Sequence, residues 1–192
     1  MNKRLYPIVV VALFLAAFGG CIMTATVIVT AKLSPNDVGQ PIHITNDDYT
    51  GSRIIVDLTE DEDFDEYKDK IKNIDNIGFY LEASNPTFTP VTFQLFLEPD
   101  ISKDWTDPEM PVDSGSYLIF TGVQVPARTQ STATGKLIVT WEESIQYINE
   151  LDVVKEYLEK GEFSIYPNVV PRDNFNITVD SLVLIVTLTG EK

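Results

Sequence analysis

The sequence predicts a mainly β protein: an antiparallel β-sandwich of about seven to eight strands with two short helices, preceded by an N-terminal signal or anchor segment. Three observations lead there. Apolar and β-branched residues alternate over a series of short runs. Turn-rich loops separate those runs, the pattern of antiparallel sandwiches and barrels. Two stretches only repeat their apolar residues at helical spacing. The chain has 192 residues, enough for one domain. Beyond position 20 it is long enough to bury roughly 70% of its unfolded surface, so a core without covalent staples is expected. The expected organisation is a signal segment over residues 1–20 and a single domain over 21–192.

The strands follow in order. "TATVIVTAKL" (24–33) is rich in β-branched residues alternating with small ones, and "RIIVDL" (53–58) is a short apolar run. "IGFYLEAS" (77–84) and "PVTFQLFL" (90–97) read as a hairpin around "NPTFT". "SYLIFTGVQV" (116–125), "KLIVTW" (136–141), "EFSIYP" (162–167) and "NITVDSLVLIVTLTG" (176–190) complete the set.

The first helix is expected in "DFDEYKDKIKNI" (63–74), with Phe64, Tyr67, Ile71 and Ile74 on one face. Its acidic start and its later lysines suit the helix dipole. The second is expected in "TWEESIQYINELDVVKEYLEKG" (140–161). Thr140 and Glu143 stand in capping-box spacing, and Gly161 is a natural stop. Ile145, Ile148, Leu151, Val154 and Leu158 form its apolar stripe, with Asp152 the position where it would divide. Helix, strand, turn and strand recur in 67–97 and again in 154–186, which suggests two helix-plus-hairpin units.

The N-terminus carries Lys3 and Arg4, then an uncharged apolar stretch over 5–18, then Gly19, Gly20 and Cys21, the one cysteine of the chain. A charged start, an apolar middle and small residues at a cleavage point form the layout of an export signal. Gly19-Gly20-Cys21 resembles the bacterial lipoprotein signal, in which a small residue stands immediately before a cysteine. Phe18 departs from that pattern, which usually has Leu there. The resemblance implies that Cys21 is the lipid attachment site, that residues 1–20 are removed, and that the protein is exported and membrane-anchored. Ile22 rather than Asp in the next position implies, in a Gram-negative host, passage to the outer membrane or cell surface. The rival is an uncleaved membrane helix over 6–30, which apolar length alone permits. Gly19-Gly20 and the strand-like run after Cys21 count against it.

Asn85-Pro86 at the end of one strand, followed by a second of similar length, resembles the late-embryogenesis-abundant, water-stress and hypersensitive-response β-sandwich family. That resemblance covers residues 77–188 at most. It implies a two-sheet sandwich without a catalytic centre.

Charge narrows the partners. Without Lys3 and Arg4 there are 12 basic residues against 29 acidic ones, a net −17. Such a surface repels phosphate backbones and anionic lipid heads, so no nucleic acid is expected. A single cysteine excludes an internal disulfide and a cysteine-based zinc site. The single histidine, His43, lies in the alternating stretch "PIHIT" and reads as an ordinary strand residue. Gly135-Lys136 is followed by Leu137, so it is not a phosphate loop.

Two stretches offer chemistry. The acidic run "DLTEDEDFDEY" (57–67) places Asp61, Asp63 and Asp65 at alternate positions, and hard oxygen ligands suit Ca²⁺. Glu66 stands where that loop needs glycine and Lys72 where it needs a bidentate glutamate, so a solvated helix start is the preferred reading. The long loop 98–116 carries Trp105 and Met110 as apolar anchors, and it is the expected place for a partner contact. The expectation for function is therefore a non-enzymatic envelope lipoprotein without a cofactor, a binding or structural module. A calcium-dependent adhesion module and a carboxylate-dependent hydrolase are the alternatives.

Overall fold

The computed structural model describes residues 24–33, 41–45, 53–57, 74–103, 115–170 and 175–191. Nine strands, two short α-helices and a single 3₁₀ turn lie among them. The strands are β1 (Thr24–Lys32), β2 (Ile42–Thr45), β3 (Ile54–Asp57), β4 (Ile74–Asn85), β5 (Val91–Glu98), β6 (Tyr117–Val125), β7 (Gly135–Val139), β8 (Glu162–Val170) and β9 (Asn176–Glu191). The helices are α1 (Trp141–Ser144) and α2 (Leu151–Lys160), with the 3₁₀ turn Ile145–Tyr147 directly after α1.

Both sheets are antiparallel. The first runs β1-β9-β4-β7, with β2 also paired to β9, and the second runs β3-β8-β5-β6. The alternation read from the sequence has a direct physical counterpart. In β5, Val91, Phe93, Leu95 and Leu97 are buried at alternate positions, because successive side chains point to opposite faces of a strand. In β4, Ile77, Phe79, Leu81 and Ala83 do the same. The sheets meet through Phe79 of β4 and Phe120 of β6, ring centroids 5.5 Å apart in an edge-to-face arrangement. Phe93 and Tyr147 extend this aromatic chain from Phe120 at 6.3 and 6.1 Å. One continuous core therefore joins two antiparallel sheets in a β-sandwich-like arrangement.

Three expectations are corrected. β4 and β5 are not a hairpin: β4 pairs with β9 and β7, whereas β5 pairs with β6 and β8. The chain crosses from one sheet to the other at Asn85-Pro86. Asn85 is fully buried there; its Oδ1 accepts from the Thr87 amide at 2.8 Å and its Nδ2 donates to the Thr89 carbonyl at 2.9 Å. This side chain replaces the backbone bonds that a hairpin turn would have supplied. β8 and β9 likewise stand in different sheets, so the recurring helix–strand–strand order is an order of sheet crossings. Second, Ile74 is the first residue of β4 and pairs with Leu188, not the end of a helix. Third, the segment after β7 divides earlier than Asp152. Ile148 makes an isolated bridge to Phe120, Glu150 adopts a left-handed conformation (φ 53°), and α2 begins at Leu151. Asp152 sits in the first turn of α2, where its charge suits the dipole.

The capping box is present as expected: the Thr140 hydroxyl accepts from the Glu143 amide and Glu143 accepts from the Thr140 amide at 3.0 Å. Gly161 closes α2 in the left-handed region (φ 76°) and donates to the Tyr157 carbonyl at 3.0 Å. Residues 140–150 then seal one side of the molecule. The Ser144 hydroxyl oxygen accepts the Phe79 amide of β4 at 2.7 Å, while the Asn149 amide donates to the Ile119 carbonyl of β6 at 2.9 Å. Farther along β4, Lys155 of α2 donates to the Ile74 carbonyl at 2.9 Å. Gly78 makes the close approach of α1 feasible, since a Cβ there would stand 2.7 Å from the Trp141 carbonyl and 2.8 Å from Ser144 Oγ. Two strand edges, one from each sheet, are thereby covered by one short segment.

Candidate functional site

Among the described residues, polar chemistry concentrates where β5 ends. Phe96, Leu97 and Glu98 are buried in succession, so an acid continues an apolar run into the interior, with Glu98 only 3% exposed. A carboxylate in that position is costly unless hydrogen bonds replace its water. Glu98 receives the Ser116 hydroxyl at 2.7 Å, the Asp100 amide at 3.2 Å and the Lys103 ammonium at 3.4 Å. Beside it, Tyr166 of β8 donates to the Lys103 carbonyl at 2.9 Å. Arg53, directly before β3, donates through Nε to Ser164 at 3.3 Å and through Nη2 to the Ile101 carbonyl.

These contacts share one location. Lys103 and Ser116 flank residues 104–115, so Glu98 and Tyr166 clamp both stems of the loop that carries Trp105 and Met110. The clamp comes from strand alternation: Ser164 and Tyr166 occupy alternate positions of β8, and Glu98 lies opposite Ser164 in the β5–β8 register. Ser102 donates to Asp100 through its hydroxyl at 2.6 Å and its amide at 2.9 Å. Those two bonds hold the Asp100 carboxyl below the ordinary carboxylate range, with smaller help from Lys103 and Arg53. Such a group stays ionised and is a poor general acid.

A second feature is a groove of about 250 Å³ between the edges of β6 and β7, floored by Val123, Leu137 and Val139 and walled by Glu143, Gln146 and Tyr147. Glu143 is committed to the helix cap. The Thr140 amide and hydroxyl lower its pKa, so this groove too lacks a proton donor among its carboxyls.

No protein-family model matches this chain, and no curated protein sequence matches it.

Cys21, Asp61, Asp63, Asp65, Trp105 and Met110 all lie outside the described residues. His43 is described: it sits exposed on β2, Nδ1 3.2 Å from the Thr178 hydroxyl. Among the described residues no group of three or more histidine, cysteine or acidic side chains is placed to hold a metal ion. Sequence reasoning singled out the loop but missed Glu98 and Tyr166, which hold its two stems. One signal was available, an acid that follows "FQLFL" without a break in burial. Arg53 and Ser164 gave none, because 111 positions separate them.

Proposed function

We propose that this protein is an exported module held at a membrane by a lipidated Cys21, and that its domain over residues 21–192 is a β-sandwich for binding or structure in the cell envelope, not an enzyme. The observation that carries the reading is β1. Residues 24–32 pair along their whole length with β9, from Thr24 opposite Glu191 to Lys32 opposite Val183. A membrane helix through residue 30 would have to dissolve seven of the nine positions of that ladder, Thr24 to Thr30. In the sequence the apolar stretch ends close to Cys21, three residues before β1 begins, as a lipoprotein signal requires. Among the described residues no helix is long and apolar enough to cross a membrane. Two or three acyl chains, at about 0.8 kcal/mol per buried methylene, anchor firmly without help from an acidic body.

The non-enzymatic part is supported by the carboxyls. Glu98 is saturated with donors, and Asp100 and Glu143 are shifted downward, whereas a carboxylate-dependent hydrolase needs one raised. The clamped loop over 104–115 is the proposed contact surface, with Trp105 and Met110 as its apolar anchors.

The deciding measurement is the intact mass of the protein extracted from membranes of its host, beside Cys21→Ser. Loss of residues 1–20 together with added acyl mass, both absent in the variant, is the expected result. An unmodified full-length mass would overturn the anchor.

A further inference from the structure

Residues 140–150 cover the neighbouring edges of the two sheets only in part. They reach β4 at Phe79 and β6 at Ile119 and Phe120. Beyond that point β7 forms the edge of the first sheet, pairing with β4 through residues 135–139, and β6 forms the edge of the second. Among the described residues, no strand pairs with the outer side of β7 or with β6 from Thr121 onward, and no backbone hydrogen bond joins the two. Each edge therefore presents backbone N–H and C=O groups that no neighbouring strand has taken.

The groove of about 250 Å³ lies between these two edges and is bounded at both ends. At one end Gly135 passes the Pro126 carbonyl with no room for a Cβ. At the other the Tyr147 ring lies against Gly122, where an added Cβ would stand 3.3 Å from Cδ1. Between those ends β7 has five residues, about 16 Å of extended chain. A cavity of roughly 150 Å³ holds a benzene-sized group, so this groove has room for one or two apolar side chains over Val123, Leu137 and Val139. On the outer face of the same strand Ile138 is 58% exposed. It stands opposite Glu82 of β4 on one side and has no described strand on the other. A strand added there would give it the missing cross-strand neighbour.

We infer that this groove takes an extended segment of a basic partner protein, which adds a strand antiparallel to β7 and sets a lysine or arginine beside Glu143. An edge of unpaired backbone groups is matched by another extended chain, and the antiparallel direction continues that of both sheets. Charge then selects the partner. Glu143 lines the groove and is exposed, and the Thr140 amide and hydroxyl, both donating to it, keep it ionised. Lys136 is the one charged residue within β6 and β7, next to Gly135 at the opposite end, so the partner's cation belongs at the Glu143 end. A net charge of −15 attracts a basic partner and opposes a second copy of this chain. The inference rests on the binding-module reading above. It uses neither the stems of the 104–115 loop nor the lipid anchor.

The test uses the full-length, isotope-labelled chain in zwitterionic nanodiscs, titrated with the capped hexapeptide Lys-Thr-Val-Thr-Val-Thr. An analogue with glutamate in place of lysine is titrated in parallel. Two more carry backbone N-methyl groups, one on the threonines and the other on the valines. Saturable shifts of the β7 amides and of the Val123 and Leu137 methyls are expected with the lysine peptide, and about tenfold weaker binding of the glutamate analogue. One N-methylated set should abolish binding and the other should be tolerated, because alternate residues of a strand turn their N–H groups to opposite neighbours. Glu143→Gln, which keeps the capping box, should reduce the lysine preference about threefold. Equal binding of the lysine and glutamate peptides, the same response to both N-methylated sets, indifference to Glu143→Gln, or no saturable shift would each overturn the inference. So would β7 shifts that grow with protein concentration in the absence of peptide, which would assign the groove to a second copy. Shifts confined to residues 98–103 and 115–116 would overturn it while leaving the binding-module reading intact, and the Cys21 mass measurement judges the anchor separately.

Discussion

Glu98 shows how a single side chain is tolerated where its charge alone would forbid it. Its oxygens are satisfied by Ser116, Asp100 and Lys103. Glu98→Ala removes an acceptor from three donors at once, and unfolding in urea should show a loss of about 1–3 kcal/mol. The same substitution should raise proteolytic cutting within residues 104–114, because the loop stems are released. Asp100 makes the pH argument. Its folded pKa is lowered, so it contributes stability that is present above the ordinary carboxylate range and lost as pH falls through the lowered value. Ser102→Ala removes the hydroxyl bond, the largest cause, and keeps the amide bond, and a carboxyl-carbon NMR titration should find Asp100 closer to its ordinary value. An unchanged titration would assign the shift to the Ser102 amide, Lys103 and Arg53 instead.

At the scale of elements, α1 is only four residues long and is held by its ends and by the strand it touches. Ser144 donates to the Trp141 carbonyl at 2.6 Å while accepting from Phe79, so the helix is bonded to β4 through one hydroxyl. Ser144→Ala strands the buried Phe79 amide and should cost about 1–3 kcal/mol, whereas Thr140→Ala, at the exposed cap, should cost about 1. Amide exchange separates the two: Phe79 should lose protection in the first variant and keep it in the second. Glu150 is the opposite case. As N-cap of α2 it is left-handed and makes no side-chain capping bond. Asn tolerates that conformation better and caps helices well, so Glu150→Asn should raise stability by about 0.5–1 kcal/mol in thermal unfolding. A loss there would mean that Glu150 has a role its geometry does not reveal.

Charge dominates the behaviour of the whole molecule. A net −15 on the chain destabilises the compact state by self-repulsion. Salt raised from about 10 to about 150 mM shortens the Debye length from about 30 to 8 Å, so the melting temperature should rise. A fall would mean that ion pairs such as Lys103–Glu98 outweigh the repulsion.

The sequence by itself determined the strands, the capping box, the stop at Gly161 and the exclusion of cysteine-based sites, because each rests on neighbours in the chain. Side-chain alternation, Thr140–Glu143 spacing and a glycine after a helix are local facts with local physics. It went wrong at Asn85-Pro86, where a turn signal looks the same whether the next strand pairs with the last or crosses to another sheet. Which edge accepts β5 depends on β8 and β6, and no local pattern encodes that. Only the tertiary structure could bring Arg53 to Ser164 and Glu98 to Ser116. Those pairs lie 18 to 111 residues apart, and their energy comes from excluding water around polar groups that the packed sheets bring together.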